Sequence, residues 1–363
     1  MLTQLFSGDL PRSRILSALL LLVFLGLAGA PFLVSGARPL NTAATICIYI
    51  VLVASYDLLL GYTGIVSFAH TMFFGIGAYG VGLGLSPSEG DPTWTGMFGG
   101  LALALLLSLV LAFIIGLFAL RVRAIFYAMI TLAVASSFAV LAQQFSDFTG
   151  GEDGKTFSVP ELLSPGYQLF EREILGRVID GKVITYYIVF FGGLLLFLFL
   201  LRIVNSPFGR VLQAIRENEF RAEAIGYRTV VYRTGANIVA ALLACCGGAL
   251  LALWLRYTGP ETAMSMEIML DLLLIVVIGG MGTVYGAVIG SVLFIVAQNY
   301  LQALLKGAGA LVEGVPVVST LVSPDRWLLW LGLLFVLAVY HFPGGIVGRL
   351  RLAAWTRGRR TKA

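Results

Sequence analysis

The sequence predicts an all-α polytopic membrane protein of about ten helices, with both termini cytoplasmic. Three observations carry this. Only 12% of the 363 residues are charged while 59% are hydrophobic, and mean hydropathy is +0.94; ordinary soluble domains carry about 25% charge. Apolar runs long enough to cross a bilayer recur along the whole chain. The arginines gather between those runs in clusters that one topology places on one side.

The runs fall near 15–34, 43–60, 97–120, 125–145, 185–203, 235–255, 266–283, 285–305 and 327–345, with a shorter glycine-rich run at 72–85 as a tenth. The first follows Arg12 and Arg14 and contains Ala28-Gly29-Ala30, as a cleavable signal peptide does. It continues through Pro31 to Val34, and a proline directly after the site hinders cleavage, so the span is expected to be retained. Cleavage would leave nine spans in the same orientation.

Arg121 and Arg123 lie in a tight turn, and Arg202, Arg210, Arg216, Arg221, Arg228 and Arg233 surround a charged island. Arg349, Arg351, Arg357, Arg359, Arg360 and Lys362 follow the last run. Ten spans bring these clusters and the N-terminal arginines to the cytoplasm. The other side receives Glu89, Asp91, an acid-rich loop over 146–184 and the loops near 256–265 and 306–326. Residues 1–348 then form one membrane domain, with a cytoplasmic loop at 205–230 and a basic cytoplasmic tail at 349–363.

Catalytic and metal chemistry find little footing. His70 and His341 are the two histidines, which excludes a multi-histidine metal centre. Cys47, Cys245 and Cys246 sit in apolar runs without disulfide or metal spacing. "TGGEDGKTF" at 149–157 ends in Gly-Lys-Thr, but a phosphate loop needs glycine where Thr149 stands, and Glu152 and Asp153 would repel phosphate. No nucleic-acid partner is expected.

Inside the membrane, Ser67, His70 and Thr71 would share one face of a helix through 61–80 and are candidates for lining a polar path. A histidine hydrogen-bonded to a neighbouring helix is the alternative. Gln298 and Gln302, four residues apart, could greet a polar solute near the outer end. Asp57, near an inner end, and Asp271, in an outer third, are intramembrane carboxylates and hence functional candidates; interfacial placement or a helix-end hydrogen bond would also explain them. Both open an Asp-Leu-Leu-Leu stretch followed by glycines, a weak internal echo. Gly80 with Gly84, and Gly282, Gly286 and Gly290, recur every four residues as close-packing faces. Alternatively, "IGGMGTVYG" at 278–286 is a turn between spans.

The charged island opens on Ser206-Pro207, a helix-start signal. Phe208, Val211, Leu212 and Ile215 follow at helical spacing. Asn218 can cap a second short helix carrying Phe220, and Gly226 can end it. A helix lying on lipid favours a uniformly basic polar face. Here Glu217, Glu219 and Glu223 are mixed with the arginines, which suits a protein partner.

"AEAIG" at 222–226 resembles the Glu-Ala-Ala…Gly loop by which ABC importer permeases grip their ATPase. Five segments together resemble the LivM-type permease of branched-chain amino acid importers: "LLLGYTGIVSFAHTMFFGIGAY" (58–79), "TGGEDG" (149–154), "SPFGRVLQAIRENEFRAEAIGY" (206–227), "GP…S" (259–265) and "VVIGGMGTVYGAVIG" (276–290). The resemblance spans about residues 40 to 345; Asp57 matches no position with a family role, and the segment near 160–182 departs from the pattern. It implies a type II-like permease of the bacterial inner membrane, surrounded by lipid and working with a second, LivH-type permease subunit, two cytoplasmic ATPase subunits and an external binding protein. The chain itself would bind no cofactor, ATP being used by its partners. Phe208, Leu212, Ile215, Arg216, Glu217, Phe220, Glu223 and Gly226 would form the ATPase-coupling loop. The substrate would be branched-chain or hydrophobic amino acids, with a urea or short-amide importer as the alternative. An ion-coupled secondary transporter would need paired intramembrane carboxylates, and a membrane enzyme a clustered His, Ser or Asp set.

Overall fold

The computed structural model describes residues 14–33, 36–86, 91–119, 124–168, 179–311, 323, 326–342 and 344–350. Arg12, Arg121, Arg123, Glu89, the segment 169–178 and the tail beyond 350 lie outside the described residues, so the charge tally of the two ends is not completed there.

Among the described residues nine helices are long and apolar enough to cross a membrane. In chain order the structure contains α1 (Arg14–Leu33), α2 (Ala37–Thr63), α3 (His70–Gly84), α4 (Trp94–Ala119), α5 (Ala124–Gln144), α6 (Ser146–Thr149), α7 (Gly181–Val204), α8 (Pro207–Glu217), α9 (Glu219–Ala224), α10 (Thr229–Leu255), α11 (Pro260–Ala263), α12 (Met266–Gly279), α13 (Val284–Leu311) and α14 (Trp327–His341). The tenth expected span is α3. Its 15 residues reach about 22 Å at about 1.5 Å per residue, short of a bilayer core of about 30 Å.

The centre of the bundle is α2, α3 and α10, with α4 against α3 and α10. Side chains cannot separate these helices, because glycine lets backbones touch. A Cβ on Gly248 of α10 would stand 1.7 Å from the Phe74 carbonyl oxygen, and one on Gly77 of α3 would stand 1.8 Å from that of Cys245. Gly80 and Gly84 face Gly96 and Gly100 of α4 in the same way, with the Gly84 Cβ position 2.3 Å from the Gly96 oxygen. Around this centre α7 and α13 flank α2, and α12 pairs with α13. The outward faces of α4, α5 and α14 expose leucine, isoleucine and phenylalanine, as lipid requires.

α1 sits outside α2, α7 and α13, and hydrogen bonds from α7 help to hold it. Pro31 lies inside this helix and has no N–H to give the Leu27 carbonyl four residues earlier. The Tyr186 hydroxyl donates to that oxygen instead, at 2.6 Å, and Tyr187 donates to the Ala28 oxygen at 3.0 Å. Tyr186→Phe removes the hydroxyl that serves the Leu27 carbonyl. The expected cost is about 1–3 kcal/mol, read as a lowered thermal midpoint of the detergent-solubilised protein; an unchanged midpoint refutes the role.

Two expected helices are broken. The helix through 61–80 does not run on: α2 ends on Gly64, in the left-handed region at φ 74°, and 64–69 is irregular before α3 begins. The stripe of Gly282, Gly286 and Gly290 is likewise interrupted, in favour of the turn. Gly280 (φ 117°) and Gly282 (φ 76°) reverse the chain between α12 and α13, so Gly282 belongs to no helix face. Gly286 and Gly290 do pack α13 onto α12, against Gly279 and Ile275. Nor is the Asp-Leu-Leu-Leu echo a structural one. Asp57 is in the next-to-last turn of α2, whereas Asp271 is in the second turn of α12.

At the opposite end, Lys155–Thr156 pairs antiparallel with Tyr257–Thr258. The Tyr257 hydroxyl donates to the Asp153 carbonyl at 2.9 Å, clamping "TGGEDG" onto the exit of α10. Arg256, at φ 55°, turns the chain there and donates to the Leu163 oxygen at 2.8 Å. Partial burial lowers its pKa, opposed by the Asp180 carboxylate.

Candidate functional site

The island from 205 to 231 folds as its sequence dictates. Ser206 accepts a hydrogen bond from the Gly209 N–H and caps α8. Asn218 ends α8 and caps α9, accepting from Arg221 N–H at 2.9 Å. Gly226, at φ 98°, ends α9, with N–H bonds from Gly226 to the Glu223 oxygen and from Tyr227 to the Ala222 oxygen.

The two faces of this loop do different things, and that corrects the sequence reading. Leu212 and Ile215 are 0% and 1% exposed, so they anchor the loop to its own bundle and are not available to a partner. Phe208 is half-buried, its ring 5.8 Å from that of Tyr232 in a stacked pair. Arg216 reaches inward, its Nη1 donating to the Gly61 carbonyl at the end of α2. The acids are also partly consumed within the chain. Glu219 binds Arg233 through both oxygens, one at 3.0 Å, and Glu223 accepts from the Thr229 hydroxyl at 2.7 Å. Glu217, Phe220 and Gly226 remain on the outer face. There the exposed apolar residues are Phe220 at 85%, Ile225 at 67% and Val231 at 61%, among exposed Arg210, Arg221 and Arg228. Val231 escapes a sequence reading because an apolar residue in the first turn of a span looks like part of the span.

Behind α8 the ends of three elements meet. Asp57 of α2 accepts from the Gly282 N–H at 2.9 Å. It therefore ties α2 to the turn that leads into α13, whose first residue is Val284. Gly61 and Gly282 are pressed together beside it: a Cβ on Gly61 would stand 2.3 Å from the Gly282 nitrogen. Sequence alone offered a helix-end hydrogen bond for Asp57, but not its partner 225 residues away.

The proposed path residues are placed differently. Ser67 lies in the irregular 64–69 segment, not on a helix face with His70 and Thr71. All three are nearly inaccessible. His70 Nε2 and the Ser55 hydroxyl are 2.8 Å apart. Since that hydroxyl donates to the Leu52 oxygen, the imidazole N–H is the donor to Ser55. This is the hydrogen-bonded histidine of the alternative reading. The 64–69 break turns these side chains into the chain's own interior. Gln298 reaches Asp271 at 3.5 Å on the half-exposed side of α12 and α13, and Gln302, exposed, does not join it. Among the described residues no His, Cys, Asp and Glu group could hold a metal.

Nine helices long and apolar enough to span a bilayer among the described residues, with an amphipathic loop that presents an apolar patch outward, define a multi-pass helical membrane protein. A family model for the branched-chain amino acid transport system permease component matches residues 38–339, and the chain belongs to that family. It is 28% identical over 329 residues to the high-affinity branched-chain amino acid transport permease LivM of Salmonella typhimurium, covering 87% of this chain and 76% of the relative. It is 27% identical to LivM of Escherichia coli over the same shares. A probable LivM of Methanocaldococcus jannaschii is 25% identical over 253 residues, 68% of each chain. No solved structure matches at comparable significance. The family is one of transporter membrane subunits that work in a complex, and its bacterial members are multi-pass proteins of the inner membrane.

Proposed function

We propose that this chain is the LivM-type subunit of an ATP-driven importer and forms, with a second LivH-type permease, the path for branched-chain amino acids. The family assignment over residues 38–339 carries the substrate class. ATP is bound and hydrolysed by two separate subunits, which dock on the outer face of 205–231 through Phe220, Ile225 and Val231. An external binding protein delivers the amino acid from the opposite end, at the 146–168 and 256–265 loops.

Asp271 is the carboxylate best placed to meet the substrate's ammonium group. It is half-exposed on α12, one turn from the exposed Glu267, and takes a hydrogen bond from Gln298. An intramembrane acid is costly unless it has such a task.

The test is ATP-dependent uptake of labelled L-leucine by membrane vesicles holding the whole complex. Unlabelled valine in excess should compete and urea should not; the reverse pattern overturns the substrate assignment. Asp271→Asn should lower uptake about tenfold, the worth of one charged contact of about 1.4 kcal/mol. Uptake at the wild-type level removes Asp271 from the path.

A further inference from the structure

We propose that Asp57 and Arg216 form a joint that passes movement of α8 into α2 and the start of α13, making both positioning residues for transport. This rests on the ATPase-docking reading given above.

Each of the two side chains binds backbone beyond its own helix. The Gly61 carbonyl belongs to the last turn of α2, where carbonyls lack a following N–H. Ile65, four residues on, donates to Leu59 instead. Arg216 of α8 fills that vacancy, placing a cation on the negative end of α2. Asp57, one turn earlier, sets its carboxyl group against the Gly282 N–H in the turn that leads into α13. Its second oxygen, Oδ2, is buried and has no hydrogen-bond partner among the described residues.

The joint has no slack. A Cβ on Gly61 would lie 2.0 Å from Asp57 Oδ1 and 2.3 Å from Gly282 N, and one on Gly282 would lie 2.8 Å from Arg216 Nη1. Without it, α8 would rest on the bundle through Leu212, Ile215 and the Phe208–Tyr232 ring pair, and the burial of apolar surface that dominates such contacts is non-directional. With it, a shift of α8 along its groove must drag the α2 end and the α12–α13 turn. Because α2 is buried at the centre and α13 flanks it, that drag reaches the middle of the bundle.

The experiment uses the full complex in vesicles, reading three quantities for Asp57→Asn, Arg216→Gln, Arg216→Lys and the double variant D57N/R216Q. These are ATPase subunits retained on purification, ATP hydrolysed, and labelled leucine moved per ATP. Asparagine keeps the shape and an acceptor oxygen, and Arg216, whose Nη1 is bound to Gly61, is not one of the apolar residues Phe220, Ile225 and Val231 proposed to hold the ATPase, so assembly should persist. Leucine moved per ATP should fall at least tenfold in D57N and R216Q. R216K, which keeps the charge and one donor, should recover much of it. The double variant should be no worse than the worse single one, because both break the same joint. Wild-type leucine per ATP in either assembled single variant, or additive losses in the double, overturns the proposal. Should D57N fail to assemble, R216Q decides; failure of both to assemble also overturns it, since the pair would then serve folding. A wild-type complex that retains no ATPase sinks the docking reading instead, and the two failures stay distinct.

Discussion

Phe220→Asp should strip the ATPase subunits from the complex and abolish ATP-driven uptake, while the permease itself still inserts and purifies normally. Phe220 is 85% exposed at the start of a six-residue helix whose inner side is already committed. With exposed Ile225 and Val231 it forms an apolar patch of the kind that marks a protein contact, and aromatic anchors near the centre of a patch carry much of the energy of protein interfaces. A carboxylate there loses the apolar contact and must be desolvated against the partner. A loss of about 3 kcal/mol lowers affinity by more than a hundredfold. Co-purification of the ATPase subunits measures it. Full retention of them by F220D would mean that the outer face of 205–231 is not their seat. Leu212→Asp is the informative contrast: it faces inward at 0% exposure, so it should damage the permease's own fold and yield little protein.

Gly248→Val should be the most disruptive single change in the membrane core. The Cβ alone would fall 1.7 Å from the Phe74 oxygen and 3.1 Å from the Ala78 nitrogen, and both are backbone atoms that cannot rotate away. α3 and α10 would have to part by more than an ångström, opening contacts along both. Overpacking costs about 1–3 kcal/mol when side chains can adjust; here they cannot, so the upper end is expected. The measurement is the thermal midpoint and the monodisperse yield in detergent. Gly99→Val is the control, since nothing lies within 4 Å of its Cβ position and it should behave as wild type.

Much of the architecture is legible in the chain because bilayer physics writes it into composition. A span needs about 20 apolar residues, so hydropathy alone locates the long spans and the short glycine-rich one. The island's caps at Ser206, Asn218 and Gly226 are legible for the same kind of reason, since they answer to local backbone needs. Which face of the island meets a partner is not. Leu212 and Phe220 are both apolar and both lie at helical spacing from their neighbours, and only packing of the loop against its own bundle separates them. Likewise Glu219 and Glu223 read as charges for a partner until Arg233 and Thr229 are seen to hold them.

The sequence by itself determined that this chain is a polytopic helical protein with a charged, doubly capped loop between two of its spans. Those properties follow from hydropathy and short-range backbone chemistry, which act within about 20 residues. The tertiary structure alone decided that α2 breaks at Gly64, that His70 faces Ser55 instead of a path, and that Asp57 reaches Gly282. Those contacts join residues up to 225 positions apart, and no periodicity records them. They exist because glycines let three helix ends close to backbone contact, where each unpaired carbonyl or N–H must find a partner from elsewhere in the chain.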